Sequence, residues 1–376
     1  MPKLLIVTTV PITMRGFLLP FIEHFRQLGW QVDGMAQGIL GDRDCAAACD
    51  RLYDIQWSRN VFDPRNLLAG AKRVREVVAA EEYDLVHVHT PIAAFVTRYA
   101  LRNNRQTQVI YTAHGFHFYQ GGNRVKNAIF WSLEKLAGRW TDYLIVINRE
   151  DEAAAIKHNF LPSDRIFYTP GIGVDIDYYA VERVTPESIA HIRQDLGLSV
   201  DDTFLLTIAE FTPRKRHQDL LKALATAAKP QLHLALAGEG KTRPAIEALA
   251  QELGIEKQVH FLGYREDIPS LICAADAVLL VSQQEGLPRS LMEAMCLNTP
   301  VIGSNIRGTR DLLADGCGLL VNVGDIAALA QGAIKVRDNA ANLATMADRA
   351  KIKIQDYDLR QIIQQYEQIY GLALAN

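Results

Sequence analysis

Along the chain, short runs of apolar and β-branched residues alternate with stretches whose apolar positions fall at helical spacing. The runs cover residues 4–8, 32–36, 85–89, 109–113, 143–147 and 166–169, and a second series covers 204–208, 232–237, 259–262, 277–281, 301–304 and 319–321. Strand signals separated by helical ones imply parallel sheets with crossover helices. The pattern predicts a helix over residues 17–28, directly after the first βα turn, and others opening near Arg243 and at Pro288. Residues 171–199 hold glycine, proline and mixed charge with little strand signal, and read as a linker. In residues 357–370, Leu359, Ile362, Ile363, Tyr366, Ile369 and Tyr370 recur at helical spacing, so this last segment should bury one face.

A chain of 376 residues exceeds what one core usually serves. The expected domains are 1–180 together with a C-terminal helix at 356–376, and 181–355. The net charge of −3 lacks the basic stripe that nucleic acid would require. Five scattered cysteines have no paired spacing for zinc or a disulfide framework. No stretch approaches the roughly 18–20 apolar residues of a membrane span. Pro11 and Arg15 break the N-terminal apolar run before a signal sequence is complete. The expectation is a cytoplasmic protein, able to work at the cytoplasmic face of a membrane.

The most informative stretch is Ser282-Gln-Gln-Glu285-Gly286-Leu287-Pro288-Arg-Ser290-Leu-Met-Glu293-Ala-Met295, directly after an apolar strand. Pro288 suits the first position of a helix. That helix would turn free amides and the positive end of its dipole toward a phosphate. Glu285 on the loop and Glu293 inside the helix can accept hydrogen bonds from hydroxyls. Acids near a helix start also complement the dipole with no ligand at all. Arg214-Lys215-Arg216-His217 gathers cations where a helix is expected to open, which is unfavourable unless an anion compensates. Gly238-Glu239-Gly240 reads first as a tight strand-to-helix turn. His114 stands at the carboxyl end of a strand and can bond a ligand hydroxyl or titrate near neutrality. His87 and His89 are read as alternating on a short strand and pointing to opposite faces, with His89 the one turned toward a cleft.

Glu285-x7-Glu293 within E-G-L-P-x-S-x-x-E-A-M resembles the signature of retaining glycosyltransferase family four. The resemblance extends to Asp84-Leu-Val-His87-Val-His89-Thr-Pro91, Thr112-Ala-His114-Gly115-Phe-His117 and Gly171-Ile-Gly173-Val-Asp175, and so covers nearly the whole chain. It implies an α/β protein of the GT-B fold, two facing Rossmann-like doubly wound domains with a deep cleft between them. It further implies that His114, Glu285 and Lys215 serve catalysis. Gly16, Arg214, Gly238, Tyr264, Gly286, Leu287, Pro288, Ser290 and Glu293 would bind the donor, with Glu293 on the ribose. His89 and Phe116 would meet the acceptor. Many members have Arg where Glu210 stands here and Gly where Arg216 stands, so either Arg214 or Arg216 would complement Lys215.

The implied reaction moves a hexose or N-acetylhexosamine from a UDP-sugar to a glycan or polyprenyl-diphosphate-linked acceptor in surface-polysaccharide synthesis, with retention. No Asp-x-Asp metal motif is recognised at a strand end, and neither metal nor cofactor is expected. Residues 122–139 read either as a helix packed on the sheet or as a basic amphipathic helix on an anionic membrane, through Arg124, Lys126, Lys135 and Arg139. Rival readings on the same fold are a nucleotide-sugar epimerase, a sugar phosphorylase and a non-catalytic nucleotide-sugar sensor.

Overall fold

The computed structural model describes residues 1–58 and 63–375; residues 59–62 and Asn376, which fall in the expected first domain, lie outside the described residues. The chain divides into two compact units, Met1–Ile172 with Arg360–Asn376, and Gly173–Leu359. The boundaries therefore fall a few residues from 180 and 356. Residues 173–180 go with the second unit because Val174 bridges to Asp358 and Tyr179 bonds Glu293.

In the first unit the described strands are β1 (Lys3–Val7), β2 (Gln31–Ala36), β3 (Leu52–Asp54), β4 (Leu85–His89), β5 (Gln108–Ala113), β6 (Tyr143–Val146) and β7 (Ile166–Tyr168). They form one parallel sheet in the order β3-β2-β1-β4-β5-β6-β7. Helices cover both faces, so β4 is buried along its whole length, as parallel strands generally are. Strand order reverses between β1 and β4, and ligands of open α/β sheets bind at such a point.

The expected helix over 17–28 is instead two, Pro11–Phe17 and Leu19–Gln27, broken at Leu18. Pro11 opens the first helix, where its missing N–H is harmless. Gly16 thereby lies inside a helix, not in a βα turn, and a Cβ at this position would meet nothing within 4 Å. The terminal helix Leu359–Ala375 returns to the first unit. Tyr366 packs 4.8 Å from Phe21 and Tyr370 4.7 Å from Phe25, between ring centroids. Full burial of such side chains contributes about 1.5–3 kcal/mol each, which explains why a helix so distant in sequence is held here.

The second unit holds β8 (Thr203–Ile208), β9 (Leu232–Ala237), β10 (Val259–Gly263), β11 (Ala277–Leu280), β12 (Val301–Ser304) and β13 (Leu319–Val321), all parallel. Their order is β10-β9-β8-β11-β12-β13, reversing between β8 and β11. From Gly173 onward the supposed linker belongs to this unit. Thr185 caps a helix, Pro186–Asp195, and Val174, Tyr179 and Ile192 join the core. Among the described residues no helix is long and apolar enough to cross a membrane.

Candidate active site

At the carboxyl ends of β8 and β9 two loops press together. Gly238 and Gly240 have φ of +145° and +149°, and a side chain on either would run into the carbonyls of Ala209 or Phe211. Phe211 N–H donates to Glu239 O at 2.8 Å, and Gly238 N–H to Gly263 O at 2.7 Å. The glycines are thus needed for close backbone approach. Tyr264, just past β10, is 76% exposed.

Beyond the β8 loop, Pro213–Lys215 forms a 3-10 turn, and Arg216 caps the helix His217–Ala227 with φ +46°. Arg214 and Lys215 thus precede the helix instead of opening it. Lys215 Nζ lies 2.7 Å from Glu285 Oε1, and Arg214 Nη1 lies 3.4 Å from Oε2 while donating to Gln284 O at 2.7 Å. Arg216 is bound to Asp219. Of the two arginines, Arg214 is therefore the one that shares a carboxylate with Lys215. His217 stacks on Phe211 at 4.3 Å, and burial, with Lys215 adding, lowers its pKa to about 4.

Around the same strand ends, Ser282 Oγ, Thr212 Oγ1, Thr242 Oγ1 and His217 Nδ1 are buried without a protein partner. A buried polar atom left so costs about 1–3 kcal/mol. Such atoms concentrated at one sheet edge fit a polar ligand better than a structural turn.

The helix after β11 runs Arg289–Cys296; Pro288, expected at its first position, is its cap, with ψ 111°, so the helix opens one residue later than expected. Glu293 is buried and its Oε1 accepts from Tyr179 Oη at 2.7 Å and Arg289 Nε at 3.0 Å. Burial raises its pKa, opposed by Arg289 and the Tyr179 hydrogen bond. Glu285 and Glu293 thus have separate partners, which suits two tasks better than a paired-carboxylate hydrolase. Gly286, Leu287 and Ser290 are half-buried and Pro288 is buried.

Arg307, buried, donates from Nε to Glu285 O at 3.2 Å, and Gly308, at φ +34°, sits against the Gly286 carbonyl where no side chain fits. Tyr179, Arg289, Arg307 and Gly308 were not singled out by the sequence reading. The strand-glycine-helix sequence of residues 301–313 repeats that around Gly238 and could have flagged the last two. Among the described residues, no three His, Cys, Asp or Glu side chains gather as a metal ion would need. Three Asp-x-Asp pairs occur: Asp42 of the first accepts from Cys45 N–H, Asp175 of the second from the N–H groups of Asp177 and Tyr178, and the third, Asp356-Tyr357-Asp358, lies at the end of the 3-10 turn Ile354–Tyr357.

In the first unit, His89 Nδ1 and His114 Nε2 lie 2.9 Å apart. Residues two apart on a strand share a face. The expectation of opposite faces for His87 and His89 is therefore corrected: their rings pack at 4.1 Å. Burial lowers the pKa of His87 to about 3 and of His114 to about 4, and lowers that of His89 well below its ordinary value. All three are neutral at pH 7. Thr90, directly after them, has φ +64°, unusual for a β-branched residue, and its Oγ1 accepts from Thr9 N–H at 2.9 Å across the β1/β4 switch point. Strain of this kind tends to persist at functional sites.

Phe116, expected on the acceptor, is a core side chain, 1% exposed and stacked on Phe118 at 4.9 Å. Its contribution is its main chain: the N–H donates to buried Asp151 at 3.0 Å, which Asn148 also bonds at 2.8 Å, fixing the loop after His114.

Two family profiles match, that described as Glycosyltransferase Family 4 over residues 17–178 and that described as Glycosyl transferases group 1 over 188–353. The chain is 35% identical over 334 residues to the putative glycosyltransferase EpsD of Bacillus subtilis, covering 88% of this chain and 86% of that one. It is 25% identical over 317 residues to the UDP-Gal:alpha-D-GlcNAc-diphosphoundecaprenol alpha-1,3-galactosyltransferase of Escherichia coli, covering 82% and 80%. Among solved structures, HepE of Anabaena in complex with UDP and glucose superposes with a TM-score of 0.82 at 24% identity, over 99% of this chain and all of that one. That likeness shows the fold, two Rossmann-like domains of the GT-B class.

Proposed function

Because the chain belongs to glycosyltransferase family four, we propose that it moves a hexose or N-acetylhexosamine from a UDP-sugar to a lipid-linked glycan, retaining the anomeric configuration. The observation that carries this reading is the convergence of Lys215 and Arg214 on Glu285 beside the helix that begins at Arg289. In this reading the two cations move to the diphosphate, and Glu285, released from them, accepts sugar hydroxyls. The bond from anomeric carbon to diphosphate oxygen breaks with its electron pair going to UDP. Cations and helix amides hold the growing charge in place of a metal. The acceptor oxygen bonds to the same face as its proton passes to the departing diphosphate oxygen, and no protein nucleophile is assigned. Glu293 accepts from the ribose, the Gly238 and Tyr264 loops border the base, and His114 bonds a sugar hydroxyl. The E. coli relative is named for a UDP-sugar and a diphosphoundecaprenol acceptor, and HepE is described with UDP, which supports the choice of donor and acceptor class.

The test is nucleotide binding followed by turnover. At 100 times its dissociation constant a ligand of the native state adds about 2.7 kcal/mol, enough to raise the melting midpoint by several degrees. UDP is expected to give that shift and GDP or ADP to give little. Release of UDP only when acceptor is present then separates transfer from epimerisation or mere sensing. No shift with UDP would reject the donor assignment.

A lipid-linked acceptor also accounts for the helix Arg124–Gly138. Val125, Ile129 and Leu136 on its outer face are 69%, 40% and 39% exposed. Exposed Arg124, Lys126 and Arg139 flank them, whereas Lys135 is turned inward to the carbonyls of His158 and Asn159. Behind the helix, Ile92, Phe95, Val96, Phe130 and Leu133 line a largely apolar cavity of about 340 Å³. Each cation near an anionic surface contributes about 1 kcal/mol, so the triple change R124E/K126E/R139E should weaken binding to phosphatidylserine vesicles on the order of 100-fold. Equal sedimentation of variant and parent with the vesicles would remove the membrane contact.

A further inference from the structure

His114 does not stand alone at the end of β5. Its Nε2 meets His89 Nδ1, the His89 ring lies on the His87 ring, and His87 is held at both nitrogens. One of these bonds runs to the hydroxyl of Tyr370, and the other, 2.8 Å, to Thr112 Oγ1, which lies 3.2 Å from Tyr366 Oη. A buried polar chain thus connects the terminal helix, more than 240 residues further along the chain, with the edge of the sheet. The mechanism above uses only its outermost member.

We propose that His89 is a positioning residue that fixes the hydrogen-bonding sense of His114, and that His87 and Tyr370 hold His89 in place. The argument rests on counting protons. A neutral imidazole has one N–H and one lone pair. At 2.9 Å, one of the two facing nitrogens must carry the hydrogen and the other must accept it. If His89 donates, His114 carries its own hydrogen on Nδ1 and offers a donor to a ligand. If His89 accepts, His114 Nδ1 is a lone pair and can only accept from a ligand hydroxyl. The state of His89 therefore decides which way a hydroxyl must turn to bond His114.

His89 cannot escape this by protonation, because burial and the neighbouring His87 and His114 disfavour a cation. Nor can its ring readily rotate, with His87 against it at 4.1 Å and His114 at 5.2 Å between centroids. His87 in turn is wedged by Tyr370, ring edge to face at 5.6 Å, and by Tyr366 at 5.7 Å. Which ring nitrogen of a histidine carries the hydrogen is generally set by the hydrogen bond that the other nitrogen makes. The inference rests on the reading that His114 touches the sugar, and specifies how it does so.

Nitrogen-15 NMR of the imidazoles tests it in the full chain. The parent should show His114 as one neutral tautomer between pH 6 and 8. The H89L variant should show both tautomers exchanging, with kcat/KM for the sugar donor lowered about tenfold, the worth of one oriented hydrogen bond. H89N, which can both give and take a hydrogen bond, should restore part of that rate, and Y370F should loosen the His89 signals with a smaller rate loss. An unchanged His114 tautomer in both H89L and H89N would overturn the inference. Full transfer activity in H114A would overturn the sugar-contact reading beneath it, and the NMR result would stand apart from that failure.

Discussion

Replacing Lys215 by alanine is expected to lower kcat for sugar transfer by about 10²–10³-fold, the usual cost of removing one preorganised group that stabilises developing charge. As the glycosidic bond breaks, negative charge concentrates on the diphosphate. Lys215 is the less exposed of the two cations on the Glu285 carboxylate, 14% exposed at its side chain against 46% for Arg214. A charge further from water is screened less, so Lys215 should contribute more of the stabilisation. In the free protein the same ammonium offsets Glu285, and its loss leaves that carboxylate with Arg214 at 3.4 Å. Arg214 should keep the loop folded, so thermal stability should change far less than rate. UDP release at saturating donor and acceptor measures the effect. A K215A rate within threefold of the parent would remove Lys215 from the chemistry, and R216A, which breaks only a pair with Asp219, serves as the neighbouring control.

The strands of both sheets were largely legible because parallel strands buried on two faces read as apolar runs. β3 was not, since it has three half-buried residues at a sheet edge and therefore no run to detect. The helix Pro186–Asp195 was hidden by linker-like composition, although Thr185-Pro186-Glu187 carries a cap, a first-turn proline and a first-turn acid. Pro11 misled in a related way, being taken as an interruption when it is a helix start. For the site, the sequence could supply side chains that lie within one contiguous block, such as Glu285 and Glu293. Tyr179 acts through a long-range contact to Glu293 that no local pattern announces, and Arg307, against the Glu285 carbonyl, is signalled only by the strand-glycine-helix run in which it sits. Phe116 was a different kind of error. An aromatic beside a candidate histidine invites a binding role, yet its ring is in the core and only its amide serves the loop.

Changing Glu293 to glutamine should raise KM for the sugar donor about 10- to 100-fold while moving kcat much less, because hydrogen bonds to a charged acceptor contribute about 1.5–3 kcal/mol. The amide is nearly isosteric, and its carbonyl can still accept from Tyr179 and Arg289 as Glu293 Oε1 does. Folding should therefore survive. The pH dependence supplies a second, independent reading. Burial raises the pKa of Glu293 above its ordinary value, so the folded protein binds this proton more tightly than the unfolded chain. By linkage, the stability that follows from this shift is present below the unfolded pKa and is lost as pH rises through the folded one. Donor affinity should run the other way if Glu293 accepts from the ribose as proposed, declining as pH falls through that raised pKa. E293Q removes both trends: its melting temperature should lose this carboxyl's contribution to the pH slope, and its donor KM should be flat on the acid side. Calorimetric melts and donor KM values across pH 4.5–7.5 measure the two together. A parent and variant with the same donor KM at pH 7 would show that Glu293 holds Arg289 and Tyr179 in place without touching the nucleotide.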